Sequence, residues 1–222
     1  MKFWDWHFVF ETLPLLAQAS LITLEATLIG FVIAAILGLA FAIARMFGPA
    51  WLAVPVSAVV EFIRSTPLLI QIFFIYFVFP EFGLTVEAMT AGVAALGLHY
   101  ATYCSEVYRA GLANIPRGQW EATTALNMTA FHTFRDVVIP QAIPPVVPAL
   151  GNYLVALFKD TPLLSAIAVL ELMQTAKIIG SDNFRYTEPI TLVGVIFLIF
   201  SLIAAAVVRL VENWLRRRVM HS

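Results

Sequence analysis

The stretch RAGLANIPRGQWEATTALNMTAFHTFRDVVIPQAIPPVVP, Arg109 to Pro148, decides how this chain is read. It is a long polar interruption between apolar segments, with helix-compatible residues in its middle and Pro140, Pro144, Pro145 and Pro148 near its end. Asn114 to Arg117 reads as a turn and Gly118 to Leu126 as a short helix, with Glu121 in its first turn, where a negative charge suits the helix dipole. Asn127 can take the left-handed conformation that ends a helix. Thr129 can cap the next one, which is expected to run to about Val138 before Pro140 stops it. Two short helices stiffened at both ends make a rigid projecting body. Long loops with structure of their own are usually functional, and a docking role is expected.

The surroundings of this loop are those of a membrane protein. Of 222 residues 61% are hydrophobic and 12% charged, with a mean hydropathy of +0.88. Soluble domains run at about 45–50% apolar and about 25% charged. The net charge of −1 gives no sign of a nucleic-acid partner. Cys104 has no second cysteine to pair with and reads as a buried thiol. The opening residues show no small-residue cleavage pattern, so the N-terminus is expected to be kept. Trp4, Trp6 and Phe8 alternate with polar residues and suit an aromatic anchor at the membrane surface.

A span of about 20 apolar residues crosses the hydrocarbon core, and five segments can do this, at about 19–44, 55–79, 88–107, 148–172 and 189–209. In the first, Ala34, Gly38 and Ala42 recur every four residues, a small face that lets another backbone approach. Glu25 in this span either faces a wet cavity or ends near the headgroups. In the second, Glu61 and Arg64 are spaced to pair on a helix. The third is the least hydrophobic, and its His99, Tyr100 and Tyr103 favour a bundle interior. His99 lacks the HxxxH or HExxH spacing of a metal site, and no metal or cofactor is expected. The fourth meets Lys159, Asp160, Thr161 and Pro162. Counted from Pro148, Lys159 lies roughly 17 Å along a helix, well inside the bilayer. A proline break with charges at that depth is a candidate gate or cavity; the alternative is an ion pair that only holds two helices in register.

Orientation follows from the 13 basic residues. With the N-terminus outside, Arg45, Arg64, Arg109, Arg117, Arg135, Arg209 and Arg216 to Arg218 fall inside, Lys2, Lys177 and Arg185 outside, and Lys159 at depth. The positive-inside rule therefore puts the N-terminus out and the C-terminus in, and the Arg109 to Pro148 loop in the cytoplasm.

Several stretches resemble a known family. Arg109-Ala110-Gly111-Leu112, Ile115-Pro116-Arg117-Gly118-Gln119, Glu121-Ala122-Thr123 and Ile139-Pro140-Gln141-Ala142 resemble the EAA loop of ABC importer permeases, most closely those of the histidine and glutamine type. Arg64-Ser65-Thr66-Pro67-Leu68-Leu69, Gln71, Phe73-Phe74 and Lys159-Asp160-Thr161 resemble two further motifs of that type. Thr123 stands where the family pattern has alanine and Asn127 where it has glycine, and Thr123 is expected to add a hydroxyl to the docking face.

The resemblance implies an all-α integral membrane protein with five transmembrane helices and a cytoplasmic two-helix coupling loop at about 109–147, in the inner membrane. It implies three kinds of protein partner: a second permease subunit, identical or related, a cytoplasmic ABC ATPase dimer, and an extracytoplasmic solute-binding protein. Ile115, Pro116, Gly118, Gln119, Glu121, Ala122, Thr123, Asn127 and Pro140 would form the ATPase-coupling loop, and Thr66, Pro67, Gln71, Lys159, Asp160 and Thr161 the gate or substrate cavity. The implied solute is a polar amino acid or a compatible solute; the opening Met1 to Trp6 is similar to ectoine permeases. The chain has no GxxxxGK[ST] loop, so it is expected not to be an enzyme and to draw its energy from the separate ATPase. The competing reading is an ion-coupled secondary transporter or channel, which needs no stiff docking loop and more often shows an inverted repeat.

Overall fold

The computed structural model describes residues 4–219, and every regular element among them is helical. Helix α1 (Trp6–Phe47) has 42 residues, about 63 Å at 1.5 Å per residue, so the expected span at 19–44 is its later part. Asp5 caps it, accepting from the His7 backbone N–H at 3.0 Å. The aromatic anchor is smaller than expected. Trp6 is exposed, but Phe8 is buried beside Leu16 and Leu172 and lies under the Arg185 guanidinium.

The small face of α1 is real and longer than three residues. Ala19, Thr23, Gly30, Ala34, Gly38 and Ala42 are all buried, while Leu21, Leu28, Val32, Ile36, Leu39 and Ile43 stand exposed. Small residues inside and large apolar ones outside invert the soluble pattern, as a bilayer requires. The partner of this face is α4 (Ala88–Ala113). A Cβ on Gly38 would lie 2.6 Å from Cys104 Cβ and 2.8 Å from the Ala101 carbonyl oxygen. Cys104 is buried and free.

The expected second span is not one straight helix. Helix α2 (Ala50–Ser65) and the segment beginning with α3 (Leu68–Phe73) meet at 107°. Pro67 restricts Thr66 to the extended backbone it shows and cannot continue the hydrogen-bond ladder. After α3 the chain passes through a π turn (Phe74–Val78) and a 3-10 turn (Phe79–Phe82) to Gly83, in the left-handed conformation.

The loop between α4 and the next span also departs from expectation. Helix α5 (Arg117–Ala125) is followed by α6 (Ala130–His132), a π turn (Thr133–Val138) and α7 (Ile139–Asp160). Pro140 does not stop the helix. A proline removes one N–H and crowds the carbonyl four residues back; here the π turn just before it widens the helix, and Pro140 takes a place in the first turn of α7. The helix therefore starts before Pro148 and runs through it. At Pro162 the expected break occurs: α7 gives way to a 3-10 segment (Thr161–Ile167) ending at Ala168, φ 59°.

Two helices complete the chain, α8 (Leu172–Asp182) and α9 (Thr187–Val219). Thr23 in α1 accepts from the Leu172 backbone N–H at 3.1 Å, and Arg185 pairs with Asp5 at 3.3 Å and with the buried Glu188. The start of α1 is thereby tied to the α8 to α9 link. Among the described residues three helices are long and apolar enough to cross a membrane, Trp6–Phe47, Ala130–Ile167 and Thr187–Leu215, and the bent α2 and α3 pair makes a fourth if counted as one span. Lys2, counted above for orientation, and Met1 to Phe3 of the ectoine-like opening lie outside the described residues.

Candidate functional site

The loop is anchored by an apolar cluster. Ile115, in the turn after α4, is buried with Val138 and Ala142, and Leu112, Trp120 and Phe134 pack against them. Phe134 makes edge contacts with Trp120 and with Phe47 at the end of α1, at ring separations of 5.7 and 5.6 Å. Gln141 on α7 donates to the Gln119 side-chain carbonyl at 3.2 Å. The loop is thus fixed to α1, α4 and α7 from beneath, and it projects Pro116, Arg117, Gly118, Gln119, Glu121 and Ala122 into the surroundings.

The caps form as the residues dictate. Asn127 has φ 53°, Met128 N–H donates to the Thr123 carbonyl at 3.0 Å, and Thr129 accepts from the His132 N–H. Two details differ from the sequence reading. Helix α5 begins at Arg117, so Glu121 lies one turn in and pairs with Arg117 at 2.9 Å instead of serving the helix start. Thr123 is only 4% exposed and donates to the Trp120 carbonyl at 2.9 Å. Its hydroxyl points into the loop and not outward with Gly118 and Glu121. Pro140 is exposed beside the loop, at the base of α7. A Cβ on Gly118 would meet nothing within 4 Å.

The second set of residues gathers on α4. The Gln71 amide nitrogen donates to the Ile63 carbonyl at 2.7 Å, the Thr66 carbonyl at 3.1 Å and the Thr66 hydroxyl at 2.7 Å, across the 107° elbow at Pro67. Its oxygen faces His99 Nδ1 at 3.2 Å. With the amide nitrogen committed to the elbow, this oxygen accepts and His99 Nδ1 carries the proton. Next to His99, Tyr100 donates to Asp160 Oδ2 at 2.7 Å. The elbow motif and the α7 break, 88 residues apart from Gln71 to Lys159, thus meet on consecutive residues of α4. Thr161 is fully buried and donates to the Phe158 carbonyl at 2.7 Å. Lys159 is exposed, and among the described residues no ion pair joins it to Asp160. Glu25 is exposed on α1. Tyr103 and Tyr153 stack at 5.4 Å beside this group.

A third feature escaped the sequence reading. Glu106 on α4 accepts from Arg45 of α1 at 2.6 Å and lies 3.9 Å from Arg64 of α2 and 3.7 Å from Arg109. Arg64 makes its shorter contact, 2.8 Å, with Glu61, as its spacing suggested. The only local signal for the cluster was the i, i+3 pair Glu106 and Arg109.

The family described as binding-protein-dependent transport system inner membrane component matches residues 34–217, which take in the elbow, the loop and the α7 break. The chain belongs to this family. It is an inner-membrane, multi-pass permease subunit of an ABC importer; the ATPase is a separate subunit, and the secondary-transporter reading falls. The probable amino-acid ABC transporter permease protein y4tG of Sinorhizobium fredii is 44% identical over 95% of this chain and 91% of its own length. The glutamine transport system permease protein GlnP of Escherichia coli is 34% identical over 94% of this chain and 96% of its own. Among solved structures, an amino acid ABC transporter with histidines matches at a TM-score of 0.90 and 34% identity, over 95% of this chain and 98% of that one. The MetNI methionine ABC transporter in inward-facing form shares the fold, at 23% identity and a TM-score of 0.78 over 92% and 98% of the two chains.

Proposed function

We propose that this permease subunit admits a polar amino acid through a pathway it shares with a second permease subunit, and that α5 docks in a groove of a cytoplasmic ATPase. The observation that carries the docking reading is the build of the loop: α5 is held from beneath by Ile115 and Thr123 while Gly118, Gln119, Glu121 and Ala122 face outward. Five spans with an external N-terminus put this face in the cytoplasm, with α4 as the least apolar span. ATP binding would draw two ATPase subunits together, and each would carry its docked loop, rocking the permease halves between inward and outward openings. An extracytoplasmic solute-binding protein delivers the solute to the opposite side.

At the pathway, Gln71, Thr66, Pro67 and Thr161 shape the elbow and the break, since their polar groups are taken up by neighbouring backbone or by each other. Lys159, and the part of the Asp160 carboxylate not held by Tyr100, are left to meet the solute. An amino acid is favoured over ectoine because relatives named for amino acids match along more than nine-tenths of the chain, whereas the ectoine-like stretch is six residues at one end.

Affinity purification of the subunit from native membranes, wild type beside Glu121→Lys, tests the docking site. An ATPase that accompanies the wild type and is lost from the variant supports it; equal recovery from both refutes it. Competition of histidine, arginine, glutamine, glutamate, cystine and ectoine for uptake by the assembled transporter tests the solute class, and ectoine alone competing would overturn the amino-acid reading.

A further inference from the structure

The group around Glu106 joins three helices through one carboxylate. Arg45 comes from the last turn of α1, Arg64 from the last turn of α2, and Arg109 from α4 itself, one turn beyond Glu106. Arg45 is held firmly: its side chain is 11% exposed, it lies 2.6 Å from Glu106, and it also donates to Ser57 at 3.1 Å and contacts Ser105 at 3.4 Å. Arg64 is held differently. It stands between two carboxylates, 2.8 Å from Glu61 on its own helix and 3.9 Å from Glu106 on α4. The contact with Glu106 is the longer and weaker of the two, since attraction between half-exposed charges falls with separation, and it is the one that crosses between helices. Arg64 is therefore shared between a carboxylate on its own helix and one on α4.

The position of this pair in the chain gives it a use. Glu106 lies about 10 Å, seven residues, from the end of α4, and the turn that follows carries Ile115 into the apolar cluster beneath α5. Arg64 is two residues from Thr66 and three from Pro67, where the chain turns by 107° and where Gln71 reaches both Thr66 and His99. We propose that Glu106 is a positioning residue of the transport cycle, which passes the displacement of the coupling loop to the α2 to α3 elbow by engaging and releasing Arg64. The inference rests on α5 being the docking helix. A two-state element that both sites bias is the physical basis of such coupling, and Arg64, shared between Glu61 and Glu106, would be that element here.

The test uses the whole transporter, permease and ATPase together, in lipid nanodiscs. Ser65, exposed at the end of α2, is replaced by cysteine as a reporter, with the buried Cys104 left in place. Maleimide labelling of this reporter is timed without nucleotide and with ATP plus vanadate, in the reporter background and after Glu106→Gln, Glu106→Asp and Arg64→Gln. The expected result is a change in labelling rate of at least fivefold with nucleotide in the background and with Glu106→Asp. With Glu106→Gln and Arg64→Gln the change shrinks to less than twofold, although the ATPase stays bound and hydrolyses ATP. An unaltered nucleotide response in both neutral variants overturns the proposal, as does a background that shows no response. Loss of the ATPase from both neutral variants would assign the cluster to assembly and overturn it too. Absence of the ATPase from the background preparation would instead strike at the docking reading itself, and is separately read by Glu121→Lys.

Discussion

The phenol of Tyr100 on α4 donates to Oδ2 of Asp160 at 2.7 Å, and Asp160 is the last residue of α7 before the chain tightens into its 3-10 segment. One hydrogen bond thus fixes the broken span to the central helix. A hydrogen bond to a charged group contributes about 1.5–3 kcal/mol, and each 1.4 kcal/mol is about tenfold in an equilibrium or rate. Tyr100→Phe keeps the ring among Tyr103 and Tyr153 and removes only the donor. Uptake is expected to fall about tenfold or more with the ATPase still bound. Unchanged uptake, measured as initial rate in proteoliposomes, would show that the bond does not serve the cycle.

The contact between α1 and α4 is set by what is missing from Gly38. A side chain there meets Cys104 Cβ at 2.6 Å, Ala101 O at 2.8 Å and Ser105 N at 3.1 Å, and two of these are backbone atoms that cannot rotate away. Forcing extra carbons into a packed interior costs about 1–3 kcal/mol, and the rigid neighbours put this site at the upper end. Gly38→Val is expected to lower the thermal midpoint of the subunit in detergent, whereas Gly194→Val, with nothing within 4 Å, leaves it in place. Equal behaviour of the two variants would contradict the packing.

Gly118 presents the opposite case. The folded subunit has room for a side chain there, since nothing lies within 4 Å, and glycine in a helix costs about 1 kcal/mol relative to alanine. Nothing in the folded subunit accounts for the missing side chain, and the proposed docking of α5 against an ATPase would. Gly118→Trp should leave the subunit's own thermal midpoint unchanged within error and abolish recovery of the ATPase. Retention of the ATPase would mean that this face of α5 is free in the assembled transporter.

These cases show which features the residues announce. The Asn127 turn and the Thr129 cap are matters of local backbone chemistry, so adjacent residues suffice to read them. The small face of α1 could be seen, but its partner could not, because Cys104 is 66 residues from Gly38. Pro140 misled because a proline penalty is judged as if the helix before it were regular, and the π turn at Thr133–Val138 removes the conflict. The span expected at 55–79 runs through Pro67 without a bend, and the 107° turn found there is held by Gln71 folding back on Thr66. Glu106 was passed over since Arg45 is 61 residues away and nothing in the intervening sequence points to the pair.

Thr123 offers a check on the inward face of α5, where the family pattern has alanine. Were its hydroxyl on the docking surface, Thr123→Ala would alter ATPase recovery. The hydroxyl is instead buried and returns to the Trp120 carbonyl three residues back, a carbonyl that Thr124 also reaches at 3.0 Å. Removing it leaves no buried group without a partner, so the loss is at most the net value of one hydrogen bond, about 0.5–1.5 kcal/mol. Alanine regains about 0.5 kcal/mol of that through its better helix propensity. The two nearly cancel: the thermal midpoint should move little, and the ATPase should be recovered with Thr123→Ala as with the wild type. A loss of ATPase from this variant would place Thr123 at the contact after all, and would require α5 to turn about its axis when it docks.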